Sequence, residues 1–140
     1  MRLWIDGATT RICYIFEGQK PVICTIGSAK SPVTNNQGEY LALIYALEEA
    51  NRQGIQDLDV YSDSELMVKQ LRWDEQGVPE YATKNKRLKL LNESARLWME
   101  SFYKISLSWI PREENPAGHI LEKRALLTEK LREEDRKEAK

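Results

Sequence analysis

Three carboxylates are set apart by where they fall in the chain. Asp6 closes the apolar stretch Leu3-Trp4-Ile5, Asp63 follows the stretch from Leu58 to Ser62, and Glu39 lies near the start of a long amphipathic run. If the two stretches are parallel neighbouring strands, Asp6 and Asp63 emerge at one sheet edge, where open α/β sheets take their ligands. Glu39, in the first turn of the helix leading into the second strand, can face the same edge. Three acids converging there repel one another unless a cation is held between them. Oxygen donors of this kind suit Mg²⁺ or Mn²⁺. Each acid also has a plainer reading. Asn36-x-x-Glu39 is close to a capping box, Asp63 before Ser64 can be an Asx turn or helix cap, and Asp6-Gly7 can be a simple turn. Under that reading three unrelated caps must meet at one sheet edge by coincidence.

The elements that would position these acids follow from residue patterning. Arg2 to Asp6 reads as a strand, and Arg11 to Phe16 with Pro21 to Ile26 as a β-hairpin rich in β-branched and aromatic residues. From Gln37 to Arg52, Tyr40, Leu43, Ile44 and Leu47 follow helical spacing, and Gly54 ends the run. A strand over Leu58 to Asp63, a short helix over Ser64 to Leu71 and a loop over Arg72 to Glu80 come next. A helix over Asn85 to Phe102, a strand over Lys104 to Ile110 and a final helix from Pro116 to about Arg132 complete the order β-β-β-α-β-α-α-β-α. Short turns make the first three strands antiparallel, and helical crossovers make the later ones parallel. The expected fold class is α/β, a mixed five-stranded sheet flanked by helices, with the last strand at an edge. One domain is expected over residues 1–132, and residues 133–140, nearly all charged, read as a frayed tail.

Composition narrows the function classes. With 140 residues, 41% hydrophobic and 31% charged, the chain can bury a core, and its net charge of −1 argues against a polybasic arm. The basic residues are nevertheless uneven. Six of them (Lys84, Lys86, Arg87, Lys89, Arg96 and Lys104) lie between 84 and 104 against two acids, which suits a phosphate-tracking face or a solvated helix surface. Trp73, in the preceding loop, can stack on a sugar or base, or plug the edge of the core. Apolar runs stay far below the ~20 residues of a membrane span, and the N-terminus reaches Asp6 too soon for a signal peptide. Two cysteines point to a reducing, cytoplasmic setting. A two-residue turn at Gly18-Gln19 would set Cys13 opposite Cys24, which suits a redox or metal pair, although a buried free Cys is ordinary core material.

Four segments in order carry a family resemblance: Ile5-Asp6-Gly7-Ala8, Thr34-Asn35-Asn36-Gln37-Gly38-Glu39, Tyr61-Ser62-Asp63-Ser64 and Pro111-Arg112-Glu113-Glu114-Asn115. Together they resemble the type 1 ribonucleases H, in the short form without the basic protrusion, over roughly residues 1 to 125. The resemblance implies a ribonuclease-H-like fold and an endonuclease that hydrolyses the RNA strand of an RNA/DNA hybrid with two divalent ions, Mg²⁺ or Mn²⁺. It implies Asp6, Glu39 and Asp63 as metal ligands. Thr34, Asn35, Asn36, Gln37 and Ser64 would lie on the substrate side, with Asn85 beside Lys84 meeting a phosphate of the DNA strand. A monomer with no obligate protein partner is expected. The alternative is a ribonuclease-H-like module that binds hybrid or double-stranded nucleic acid without cutting it.

The chain departs from that pattern twice. The family's fourth carboxylate, in an Ala-Asp pair, falls on Gly118-His119. His119, the only histidine, is therefore expected at the metal site, as a ligand better suited to Mn²⁺ than Mg²⁺ or as a proton carrier. Glu122, one helical turn on, offers an oxygen as a substitute. The second departure follows Ala8, where the family's Gly/Pro-rich loop helps read 2′-hydroxyls. Here Thr9-Thr10-Arg11 runs straight into a strand, and Arg11 is placed to contact a phosphate instead.

Overall fold

Alternation along the first strand already separates the two jobs of the sheet. In the computed structural model, which describes residues 1–139, β1 (Arg2–Gly7) sends Leu3 and Ile5 to one face and Trp4 and Asp6 to the other. Antiparallel β2 (Arg11–Phe16) and β3 (Val22–Thr25) extend the sheet on one side. Parallel β4 (Asp57–Ser62) and β5 (Lys104–Trp109) extend it on the other. The strand order is β3-β2-β1-β4-β5, so the expected mixed five-stranded sheet is present, with β5 at an edge.

Helices α1 (Asn35–Arg52) and α3 (Lys86–Glu100) cover the Leu3/Ile5 face. The continuous core lies there, with Leu3, Ile5, Ile12, Phe16, Tyr40, Leu43, Leu47, Leu58 and Val60 all at or near full burial. At roughly 1.5–3 kcal/mol for each fully buried large apolar side chain, this face supplies most of the driving force for folding. Short α2 (Glu65–Gln70) is tied to both helices through buried polar groups. The Tyr40 hydroxyl donates to Gln70 Oε1 at 2.7 Å, and Asn92 Nδ2 donates to the Tyr40 oxygen at 3.1 Å. The Trp73 indole donates to the Gln70 carbonyl, and the Arg96 guanidinium lies over its ring. These contacts hold Trp73 against α2 and α3, at the start of the loop leading to Lys84 and Asn85.

The opposite face is covered by α4 (Pro116–Glu138), which follows a short 3-10 turn over Arg112–Glu114. Its fully enclosed apolar cluster is small: Cys13, Ala117 and Leu121. Three expectations change here. First, α4 continues six residues past Arg132, where the charge run predicts fraying. Its end keeps its own backbone ladder and the ion pairs Arg136–Glu129 and Lys137–Glu134. Second, the β2–β3 register pairs Cys13 with Ile23 and Ile12 with Cys24. Gly18 adopts φ 78° in a turn closed by a Gln19 N–H to Phe16 C=O bond, so the loop is one residue longer than a two-residue turn. Third, that one-residue slip puts the two cysteines on opposite faces and rules out their pairing. Burial pushes the Cys13 thiol up to about 12, which makes it inert core material. No helix among the described residues is long and apolar enough to cross a membrane.

Candidate active site

Asp6 and Asp63 reach one place because β1 and β4 are parallel and in register, Ile5 pairing with Ser62 immediately before them. Glu39 joins them through backbone contact. A Cβ on Gly7 would collide with the Gly38 carbonyl, and one on Gly38 with the Ala8 carbonyl, so only glycines let the first turn of α1 press against the end of β1. The Gly7 N–H then donates to Glu39 Oε1 at 3.1 Å. Helix α1 starts at a Thr34 cap, with Thr34 and Gln37 forming the reciprocal capping box. The Asn36/Glu39 capping alternative is thereby excluded, and Glu39 is left to the cluster. Ser64 caps α2, accepting from the Met67 N–H, so Asp63 is equally spared.

The three acids each offer an oxygen within 4.8 Å of the others. Asp6 is 2% exposed, and its Oδ1 and the Glu39 Oε2 are buried without any hydrogen-bond partner. Burial, then repulsion from Asp63, pushes Asp6 up to about 6. Burial, then repulsion from Asp6, pushes Glu39 up to about 9. Buried acceptors without donors are costly, and three carboxylate oxygens drawn this close make a donor set that suits a hard divalent cation. Among the described residues a single cation approaches: Arg112 at 3.9 Å from Asp6 and 3.7 Å from Asp63, too long for a tight ion pair and half-exposed.

Two residues of this site escaped the sequence reading. Asn115, fully buried, caps α4 through its oxygen, which accepts from the Ala117 N–H. Its amide donates both to the Ile5 carbonyl and to Asp63 Oδ2, each at 2.9 Å. One side chain therefore locks α4, β1 and Asp63 together. An Asn directly before a Pro at a helix start was the available signal for the cap, though not for the bond to Asp63. Arg112, in the 3-10 turn, stands with Asn115 in the Pro111–Asn115 segment that carries the family resemblance, but nothing in that segment assigns it a place beside the acids.

The acids line a cleft of about 510 Å³ that also takes in Asn35, Ser64, Arg112 and Glu122. The structure does not bring His119 there. The α4 residue facing the acids is Gly118, where a Cβ would stand 3.2 Å from Asp63 Oδ2 and 3.5 Å from Asp6 Oδ2. His119 is exposed and is not among the residues that line the cleft, whereas Glu122, four residues after Gly118, is one of them. Thr34 and Gln37 stand beside the cleft, engaged in their cap, and Asn36 is exposed in the same turn. Lys84 and Asn85 lie apart, at the start of α3, where Asn85 Oδ1 accepts from the Arg87 and Leu88 N–H groups. Arg11 lines a neighbouring groove and not this cleft.

A mixed sheet of this strand order, with an acidic cluster at the C-terminal ends of its central parallel pair, defines the ribonuclease-H-like class. The comparisons agree with that class. A family described as reverse transcriptase-like matches residues 8–125. A ribonuclease HI of Halobacterium salinarum is 32% identical over 114 residues, covering 80% of this chain and 53% of that protein, so the chain spans about half that relative's length. The crystal structure of the ribonuclease H1 of Halobacterium salinarum superposes with a TM-score of 0.68 at 28% identity, over 83% of this chain and 89% of that one. A ribonuclease H1 called LC11, solved in complex with an RNA/DNA hybrid, gives 0.65 at 26% identity, over 82% and 88%. The chain belongs to the type 1 ribonuclease H family.

Proposed function

We propose that this protein is an endonuclease that hydrolyses the RNA strand of an RNA/DNA hybrid. The observation that carries the reading is the pair of unpartnered buried oxygens, Asp6 Oδ1 and Glu39 Oε2, in a cluster with Asp63. Asp6, Glu39 and Asp63 would hold Mg²⁺ or Mn²⁺. Glu122, on the open side of the cleft, takes the part assigned to the family's fourth acid. When bound, two such cations supply the Lewis acidity that activates water and stabilises the departing 3′ oxygen. The attacking water forms the new P–O bond as the P–O3′ bond breaks, which leaves a 5′-phosphate and a 3′-hydroxyl.

The chain's own groups position the substrate. Asn35 and Ser64 present an amide and a hydroxyl inside the cleft, the chemistry needed to meet 2′-hydroxyls and so distinguish RNA from DNA. Thr34, Asn36 and Gln37 border the path of the minor groove. Asn85 spends its oxygen on the α3 cap, which leaves its amide N–H groups to donate to a DNA-strand phosphate beside Lys84. Arg112 offsets part of the acid charge as the polyanion approaches.

The test is a substrate panel of hybrid, double-stranded RNA and double-stranded DNA, each in Mg²⁺ and in Mn²⁺. Cutting of the hybrid on its RNA strand supports the reading. The absence of any carboxylate at Gly118-His119 favours one competitor, a module that binds duplexes without cutting. Tight hybrid binding with no cleavage in either metal would identify it.

A further inference from the structure

The catalytic cleft continues into a second groove of about 350 Å³, sharing Ala8, Leu121 and Ala125 as its common wall. One side of this groove is built by Thr10 and Arg11, from the direct Ala8-to-strand connection. The other is built by Thr128, Glu129 and Arg132 of α4. Those three residues lie beyond residue 125, where the family match ends. The unusual turn and the helix extension therefore meet at one place, next to the acids.

The charge of the groove is specific. Arg11 is half-buried, and neither it nor Arg132 has an ion-pair partner among the described residues. The one acid lining the groove, Glu129, is paired with Arg136 at 3.2 Å, which offsets part of its charge. Half-burying a guanidinium without a partner is unfavourable, and a phosphodiester satisfies it with charge-assisted bonds. We infer that this groove is a phosphate subsite for the nucleic-acid strand passing through the cleft. Arg11 and Arg132 clamp the backbone on one side of the scissile phosphate. The inference rests on the proposed nuclease reading and adds to it a subsite formed by the α4 extension.

The test uses the full chain carrying Asp6→Asn, so that hybrid is bound and not cut, with affinity read by fluorescence anisotropy across salt concentrations in Mg²⁺. Arg11→Ala and Arg132→Ala should each weaken a long hybrid by about threefold to tenfold and lower the salt slope by about one. Arg11→Lys, which keeps the charge, should retain the slope. Lys20→Ala, in the loop between β2 and β3, should change neither value. On hybrids shortened from either end relative to the cut site, the Arg11→Ala and Arg132→Ala defects should vanish for one truncation and persist for the other. Unchanged affinity in both arginine variants, or a defect that persists for both truncations, would overturn the subsite. Failure of the Asp6→Asn background to bind any hybrid would instead overturn the nuclease reading itself.

Discussion

The two faces of the sheet are organised for different ends. Under α1 and α3, Leu3, Ile5, Tyr40, Leu43 and Leu47 form one continuous apolar layer, and its buried polar groups (Tyr40, Gln70 and Asn92) bond one another. Under α4, only Cys13, Ala117 and Leu121 are enclosed, and the inward position at the end of β1 is given to Asp6. There the buried polar groups are left wanting: Asp6 Oδ1 and Glu39 Oε2 have no donors. Stability is concentrated on the first face, and that surplus lets the second face keep repelling acids in a fixed arrangement. Such local cost is what a preorganised ligand site looks like before its ligand arrives.

The contrast can be broken from either side, and the largest effect is expected at the acids. Asp6→Asn should abolish cleavage while raising the melting temperature of the metal-free protein, since it removes a buried charge that faces Asp63 and is only weakly offset by Arg112 at 3.9 Å. A fall in melting temperature would show that the charge is stabilising. On the other face, Leu43→Ala should cost about 2–5 kcal/mol by denaturant unfolding, with metal binding of the folded fraction intact. Leu121→Ala, beside an open cleft, should fall at or below the low end of that range. Asn115→Ala stands between the faces. Loss of its bonds should cost about 1–3 kcal/mol, and release of Asp63 should slow cleavage about 10–100-fold.

Titration sharpens the same contrast. Asp6 and Glu39 hold their protons more tightly folded than unfolded, at about 6 and about 9 against 3.8 and 4.5. Their contribution favours the fold below the unfolded values and is lost as pH rises through the folded ones. Thermal melts in a chelator should therefore fall from about pH 4 toward neutrality and above, and saturating Mg²⁺ or Mn²⁺ should flatten that slope. Melts insensitive to the cations would contradict the site. The smallest effect is reserved for His119→Ala. It should stay within about 0.5 kcal/mol of wild type, with the ratio of Mg²⁺ to Mn²⁺ rates unchanged.

What the sequence disclosed and what it hid follow the same division. The strand ends at Asp6 and Asp63 and the apolar stripe of α1 were legible because alternation and helical spacing are properties of long segments. Phase errors of one residue were not. A turn with Gly18 at positive φ lengthened the hairpin loop by one and moved Cys24 to the other face. Along Thr34-Asn35-Asn36 any residue has cap chemistry, and the choice of Thr34 depended on Gly38 packing against Ala8, a tertiary contact. On α4 each residue turns the side chain by about 100°, so an alignment that puts a metal ligand at 119 meets Gly118 at the face and Glu122 one turn later. Asn115 was visible as a cap, but its bond to Asp63 spans 52 residues and needed the fold.

The most direct test of the central claim is cleavage of a hybrid labelled separately on each strand, in Mg²⁺ and in Mn²⁺, by the wild-type chain and by Asp6→Asn. The expected cuts fall in the RNA strand only and leave 5′-phosphate ends, with none for Asp6→Asn. Cleavage that survives Asp6→Asn, or an uncut hybrid in both metals with binding intact, would contradict that claim.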